Sequence, residues 1–279
     1  MRPTKKRATE MQKAEKELMA LSTDLQSQYL ESVMRAVNSA INTKGNSITT
    51  ILNSKLFLTA WKRIVGRGVN DFMKEELMKI EEQTTQYYSQ YDSELLPFSK
   101  IKQIVVNDLK LNISNFATNF NDSEVVANRT RTFALGLIQR DLSSADVRKE
   151  MESFVLGNGE KLGVVDNYNM YETRVQDVFA EYDRRLSNAY ATQLNLNYFI
   201  YQGGEIKTTR DFCEERNGNV YTREEGLAFN SLDWDGKKAG NFFFTDCGGY
   251  NCRHFCDWIS YELAKQLRPG IPKSTFDTN

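Results

Sequence analysis

Cys247-Gly-Gly-Tyr-Asn-Cys-Arg-His-Phe-Cys256 is the stretch on which the reading of this chain turns. It holds three of the four cysteines of the 279-residue sequence and its only histidine, His254. The remaining cysteine, Cys213, and two of the three tryptophans, Trp234 and Trp258, lie between Thr208 and Ser260 as well. Such clustering marks a small, separately built module at this end of the chain, with the rest serving to carry or position it.

Working outward, short aromatic and β-branched runs separated by glycines surround this stretch. Asn197–Tyr201 reads as a strand turned by Gln202-Gly-Gly204. A short helix over Asp211–Arg216 follows, with Gly218 as the residue that ends it. Asn219–Tyr221 is a second strand, and Thr222 caps a helix over Arg223–Phe229. An aromatic strand is expected at Asn241–Thr245, and helix over 258–267 ahead of Pro269-Gly270. This is the pattern of a small α+β module.

Upstream the period changes to three and four. Leu18, Leu21, Leu25, Tyr29, Val33, Val37 and Ile41 form one stripe of a helix over 11–41 that Lys44-Gly45-Asn46 stops. Ser47 suits the cap of a second helical stretch reaching Tyr91. Val65-Gly-Arg-Gly68 should kink or interrupt it, because each interior glycine costs about 1 kcal/mol. Leu77 and Ile80 supply its buried side, and Leu96-Pro97 closes it. Helix is also expected over 98–121 and from Asn121–Ser123 to about Gln139. Ser143 with Asp146 makes a shortened capping box for a helix ending at Leu156. The last long helix, about 167–196, places Phe179, Tyr182, Leu186 and Tyr190 on an apolar side and leaves Asp183, Arg184 and Arg185 to solvent or a partner.

The fold class is therefore mainly α. A basic tail (1–10) leads into an elongated, all-helical body (11–195), followed by the small α+β module (196–268) and a polar tail (269–279). The body contains no histidine, no glycine-rich phosphate loop and no nucleophile motif. A net charge of -1, from 36 basic and 37 acidic residues, gives no global field toward nucleic acid or an anionic membrane. No run approaches the roughly 20 apolar residues of a membrane span. The absence of a secretory signal in the opening residues leads to an expectation of a cytoplasmic setting, where cysteines stay reduced.

Two readings of the cysteines compete. Cys213, Cys247, Cys252 and Cys256, or three of them with His254, are candidate ligands of a structural zinc that would supply folding free energy to a module with a modest core. Their C-x4-C-x3-C spacing lacks a C-x-x-C knuckle, and the thiols equally suit small packing residues around Phe212, Phe242, Phe244 and Trp258. A strand through 252, 254 and 256 would set those side chains in one row. A Cys–His nucleophile would need an orienting group and an oxyanion site, and neither is evident.

The run Ile206-Lys-Thr-Thr-Arg-Asp-Phe-Cys-Glu-Glu-Arg-Asn-Gly-Asn-Val-Tyr-Thr222, then Trp234 with its lysines, then Gly248-Gly-Tyr-Asn-Cys-Arg-His254, resembles the C-terminal domain of the phage Mu F-like (SPP1-type) minor head proteins, a phage head-morphogenesis family. The likeness covers about 167–260, with its motif region at 206–260. Cys247 and Cys256 fall outside the shared pattern. The resemblance implies a minor structural protein of the virion, at the portal vertex or head interior after assembly in the host cytoplasm. It implies the portal protein and capsid or scaffold proteins as partners, a role in DNA packaging or ejection, and a local contact with DNA. Arg210, Cys213, Gly218, Trp234, Gly249, Asn251, Cys252, Arg253 and His254 are its motif residues, expected to hold the module's fold or make the portal or DNA contact rather than to catalyse. A zinc-dependent nucleic-acid-binding module and a phage-delivered effector enzyme are the alternatives.

Overall fold

The computed structural model describes residues 3–42, 52–91, 123–140, 142–158 and 170–277. The chain is mainly helical, with one small three-stranded antiparallel sheet near its C-terminus, as its texture predicts. The elements in order are α1 (Pro3–Ile41), α2 (Ser54–Trp61), α3 (Arg67–Tyr88), α4 (Ser123–Ile138), α5 (Ser144–Leu156), α6 (Met170–Gln193), β1 (Tyr198–Gly203), α7 (Asp211–Glu214), β2 (Asn219–Thr222), α8 (Arg223–Ala228), α9 (Phe243–Asp246), β3 (His254–Ile259) and α10 (Tyr261–Leu267). They sort into two compact units. One comprises Met1–Glu15, Glu76–Asn112 and Thr173–Asn279, the other Lys16–Glu75 and Ile113–Glu172.

The second unit is built on the α1 stripe. Leu18, Leu25, Tyr29, Val33 and Val37 are buried as their spacing requires, and Leu21 half-buried. Tyr29 meets Trp61 of α2 edge to face at 5.2 Å, and burial pushes its hydroxyl pKa up to about 12. Phe133 of α4 stacks on Phe154 of α5 at 4.1 Å. Ser143 caps α5 by accepting from the Asp146 amide at 3.2 Å, as read. At Gly66 the helix does not break. Lys62–Gly66 widens into a single π turn that joins α2 to α3 without a loop. A Cβ on Gly68 would meet the Leu25 side chain at 2.8 Å, so this glycine is there for close approach as well as for its backbone.

The first unit holds the sheet, in the order β2-β1-β3. Tyr198 pairs with Thr222 on one side and with Ile259 on the other. Helix α6 packs on the sheet, with Ala180, Phe255 of β3 and Met11 of α1 in one cluster beside Ile80 of α3. Thr84 donates to Asp183 at 2.8 Å, and Tyr87 donates to the Trp258 carbonyl at 3.1 Å. The change of texture at Leu196 thus falls inside this unit, because the helix before it covers the sheet.

Four expectations are corrected. Asn241–Thr245 is not a strand. The chain there makes the single turn α9, which turns Phe243 and Phe244 together into the aromatic core around Phe199, where a strand would have sent them to opposite faces. Phe242 is consequently 41% exposed. Asp183 and Arg184 are buried, not solvated, since they lie three and four residues from the buried positions of their own helix. Helical backbone begins at Pro3, within the stretch read as a tail. The Lys44–Asn46 stop, the Ser47 cap, the Leu96-Pro97 break and the 98–121 segment lie outside the described residues.

Candidate metal centre

Three of the five candidate ligands converge. Cys213 on α7, Cys252 in the loop before β3 and His254 at the start of β3 are all buried, and their donor atoms lie within 4.8 Å of one another. Cys213 Sγ is 3.9 Å from Cys252 Sγ, which in turn is 3.9 Å from His254 Nδ1. All four cysteines are free thiols. These three side chains could hold a metal ion. Cys247 and Cys256 stand outside the group, and burial, followed by the neighbouring Cys247, raises the Cys256 thiol. Of the row expected of 252, 254 and 256, only His254 and Cys256 stand on β3, and Cys252 reaches its place beside His254 from the preceding turn.

That turn is held by strained backbone. The Gly249 amide donates to the Asp246 carbonyl at 2.9 Å, closing a turn whose first central residue is Cys247 at φ 50°, ψ -120°, the geometry of a type II′ turn where glycine is usual. Gly249 has φ 94°, and a Cβ on it would collide with the Gly236 carbonyl. Asn251, at φ 56°, donates its amide to Asp177 at 2.8 Å. Asp177 with Glu181 and Asp246 surrounds Lys238, and burial raises both Asp177 and Asp246 despite that ammonium.

The other motif residues bind the two motif segments together. Arg210 donates to the Tyr250 carbonyl at 2.8 Å. Trp234 stacks on Phe212 at 3.9 Å and donates from Nε1 to the Gly248 carbonyl at 2.9 Å. Gly218, at φ 81°, donates its amide to the Tyr201 carbonyl at 2.7 Å and so leads α7 into β2. Arg253 is half-buried beside the group and supplies none of its donor atoms.

Two residues that sequence reasoning missed complete the surroundings. Arg184 of α6, 1% exposed, donates to the carbonyls of His254 (2.9 Å), Cys252 (2.6 Å), Thr245 (3.2 Å) and Asp246 (3.5 Å). Burial works against its charge, and nearby Cys247, Cys252, Tyr201 and Asp177 outweigh it, so the guanidinium stays cationic. Its signal was present in the spacing, since Ala180, Ser187 and Ala191 continue its row with small residues. Tyr201 of β1, also buried, lies with its hydroxyl 3.3 Å from Cys213 Sγ and 3.7 Å from Cys252 Sγ, and its ring stacks on His254 at 5.1 Å. Nothing local in the sequence distinguishes it from its aromatic neighbours.

The electrostatics divide the two thiols. Burial would raise Cys252, but hydrogen bonds from Cys213 and His254 and the Arg184 charge bring it well below the ordinary thiol range. Cys213 is raised, first by its hydrogen bond to Cys252 and then by burial. The Gly248 amide also contacts Cys252 Sγ, at 3.2 Å, so its hydrogen bonds and the Arg184 charge favour the thiolate form of Cys252 over that of Cys213. A thiolate beside an imidazole is the chemistry of a nucleophile or of a metal ligand. Cys252 is 2% exposed, which shields Sγ from a substrate and suits a ligand. His254 Nε2 is buried without a hydrogen-bond partner. A ligating histidine ordinarily donates its second N–H to an acceptor, and here the Tyr201 stack steadies the ring in its place.

No protein-family model matches the chain, no curated protein matches it, and no solved structure matches it.

Proposed function

We propose that this chain is a structural minor head protein of a tailed phage or prophage, not an enzyme, that acts at the portal vertex in head morphogenesis and in DNA packaging or ejection. One observation carries the reading. The two stretches that resemble the Mu F-like pattern are interlocked in space as well as ordered in sequence, through Arg210 with Tyr250, Trp234 with Gly248, and Cys213 with Cys252. The motif residues thus have a common structural task, which is what a non-catalytic assembly module requires. A structural zinc on Cys213, Cys252 and His254 belongs to the same reading. Such an ion supplies folding free energy, and these residues would hold it while Arg184 fixes the peptides that carry two of them. The proposed partners are the portal protein and the capsid or scaffold proteins. Among the described residues no helix is long and apolar enough to cross a membrane.

Co-expression with the portal protein of the same phage, followed by size exclusion and mass determination, tests the reading. A co-eluting complex of defined stoichiometry is the expected result. Clean separation of the two at low and moderate salt would remove the portal-vertex assignment.

A further inference from the structure

The three-residue group leaves a tetrahedral ion one ligand short, and the structure holds a fourth oxygen beside it. A tetrahedron with zinc's usual bond lengths to sulfur, nitrogen and oxygen has edges of about 3.8 Å between two sulfurs and about 3.5 Å between sulfur and a lighter donor. The separation of Cys213 Sγ and Cys252 Sγ is 3.9 Å. Tyr201 Oη stands 3.3 Å from the first and 3.7 Å from the second. His254 Nδ1 stands 3.9 Å from Cys252 Sγ. Four of the six edges of an S₂NO tetrahedron are therefore present at close to zinc's dimensions before any ion is bound. Three separate elements hold them: β1 supplies Tyr201, α7 supplies Cys213, and β3 with its leading turn supplies Cys252 and His254.

We propose that Tyr201 is the fourth ligand of the metal centre, closing a buried Cys₂-His-Tyr site for a zinc-class divalent cation. The inference rests on the metal reading of the preceding subsection and deepens it. A site closed by four protein donors has no position for water, so the ion in it is structural and carries no hydrolytic chemistry. The arrangement also assigns a purpose to the placement of a hydroxyl between two thiols, where a phenylalanine would fill the same aromatic stack on His254.

The protons balance in a simple way. Ligation takes Cys213 and Cys252 as thiolates and Tyr201 as tyrosinate, so every proton that these three groups carry in the metal-free protein goes to solvent. Zinc added to the metal-free full-length protein should therefore produce a tyrosinate difference band in the ultraviolet. Cobalt should give thiolate charge-transfer bands with the intense visible absorption of a tetrahedral site. In Tyr201→Phe the tyrosinate band should vanish, the cobalt spectrum should change, and zinc affinity measured against a chromophoric chelator should fall at least about tenfold. Zinc binding with thiolate bands but without a tyrosinate band in the wild type would overturn the role of Tyr201 and leave the three-residue metal reading standing. No binding of either ion by the wild type would overturn the metal reading, and this inference with it. The wild-type spectra decide between these results even if the variant does not fold.

Discussion

At the scale of single residues, Arg184 and Cys247 make the sharpest demands. Replacing Arg184 by methionine takes the guanidinium donor from the carbonyls of Thr245, Cys252 and His254 in a buried setting, so stability should fall by about 3–5 kcal/mol in urea denaturation. Arg184→Lys should not restore it, because one ammonium cannot reproduce the guanidinium fork. Cys247 sits in backbone that favours glycine, where an ordinary residue costs about 1–3 kcal/mol. Cys247→Gly should therefore be more stable than Cys247→Ala by about 1 kcal/mol or more, since alanine loses the thiol contact and keeps the strain. These residues also mark how much of the site was legible. Cys213, Cys252 and His254 announce themselves by type. Arg184 could have been found from the helical row it shares with Ala180, Ser187 and Ala191, but charge was read as exposure. Tyr201 could not, because only the β1–β3 pairing brings it to the thiols.

At the scale of elements, local signals are legible in the sequence and non-local ones are not. The caps at Ser143 and Thr222 need only three residues of sequence, and both occur, the second as a full capping box with Glu225. Thr222→Ala should cost about 1 kcal/mol, measurable as a shift in denaturation midpoint. Three consecutive phenylalanines have no period, so the sequence of Asn241–Thr245 does not choose between a strand and a helical turn, and the surrounding aromatic core decides their conformation. The neighbouring helix α8 also ties down the chain after α10. Glu224 accepts from Ser274 Oγ at 2.8 Å and from the Thr275 hydroxyl at 2.6 Å. Burial would raise this carboxyl, but those hydrogen bonds prevail and lower it from 4.5 to about 2. A depressed carboxyl stabilises the fold above its unfolded value and loses that contribution as acid protonates it. The stability difference between wild type and Glu224→Gln should accordingly be full above pH 4.5, shrink as pH falls, and be gone near pH 2.

For the whole molecule, the division into two units separates the tryptophans. Trp61 belongs to one, and Trp234 and Trp258 to the other, which also contains the metal centre. If the centre takes zinc, the ion stabilises the unit that binds it. The fluorescence midpoint of a Trp61→Phe variant, which reports on Trp234 and Trp258, should rise when zinc is added to metal-free protein. An unchanged midpoint would contradict this. The make-up of the units carries one more consequence, for the order in which the protein is born. The unit spanning Lys16–Glu75 and Ile113–Glu172 has all its parts once residue 172 has been synthesised, whereas the other joins the first fifteen residues to the last hundred or so. As a ribosome makes this chain, one unit can close once residue 172 is out, while Met11 and Arg184 wait for partners translated after it.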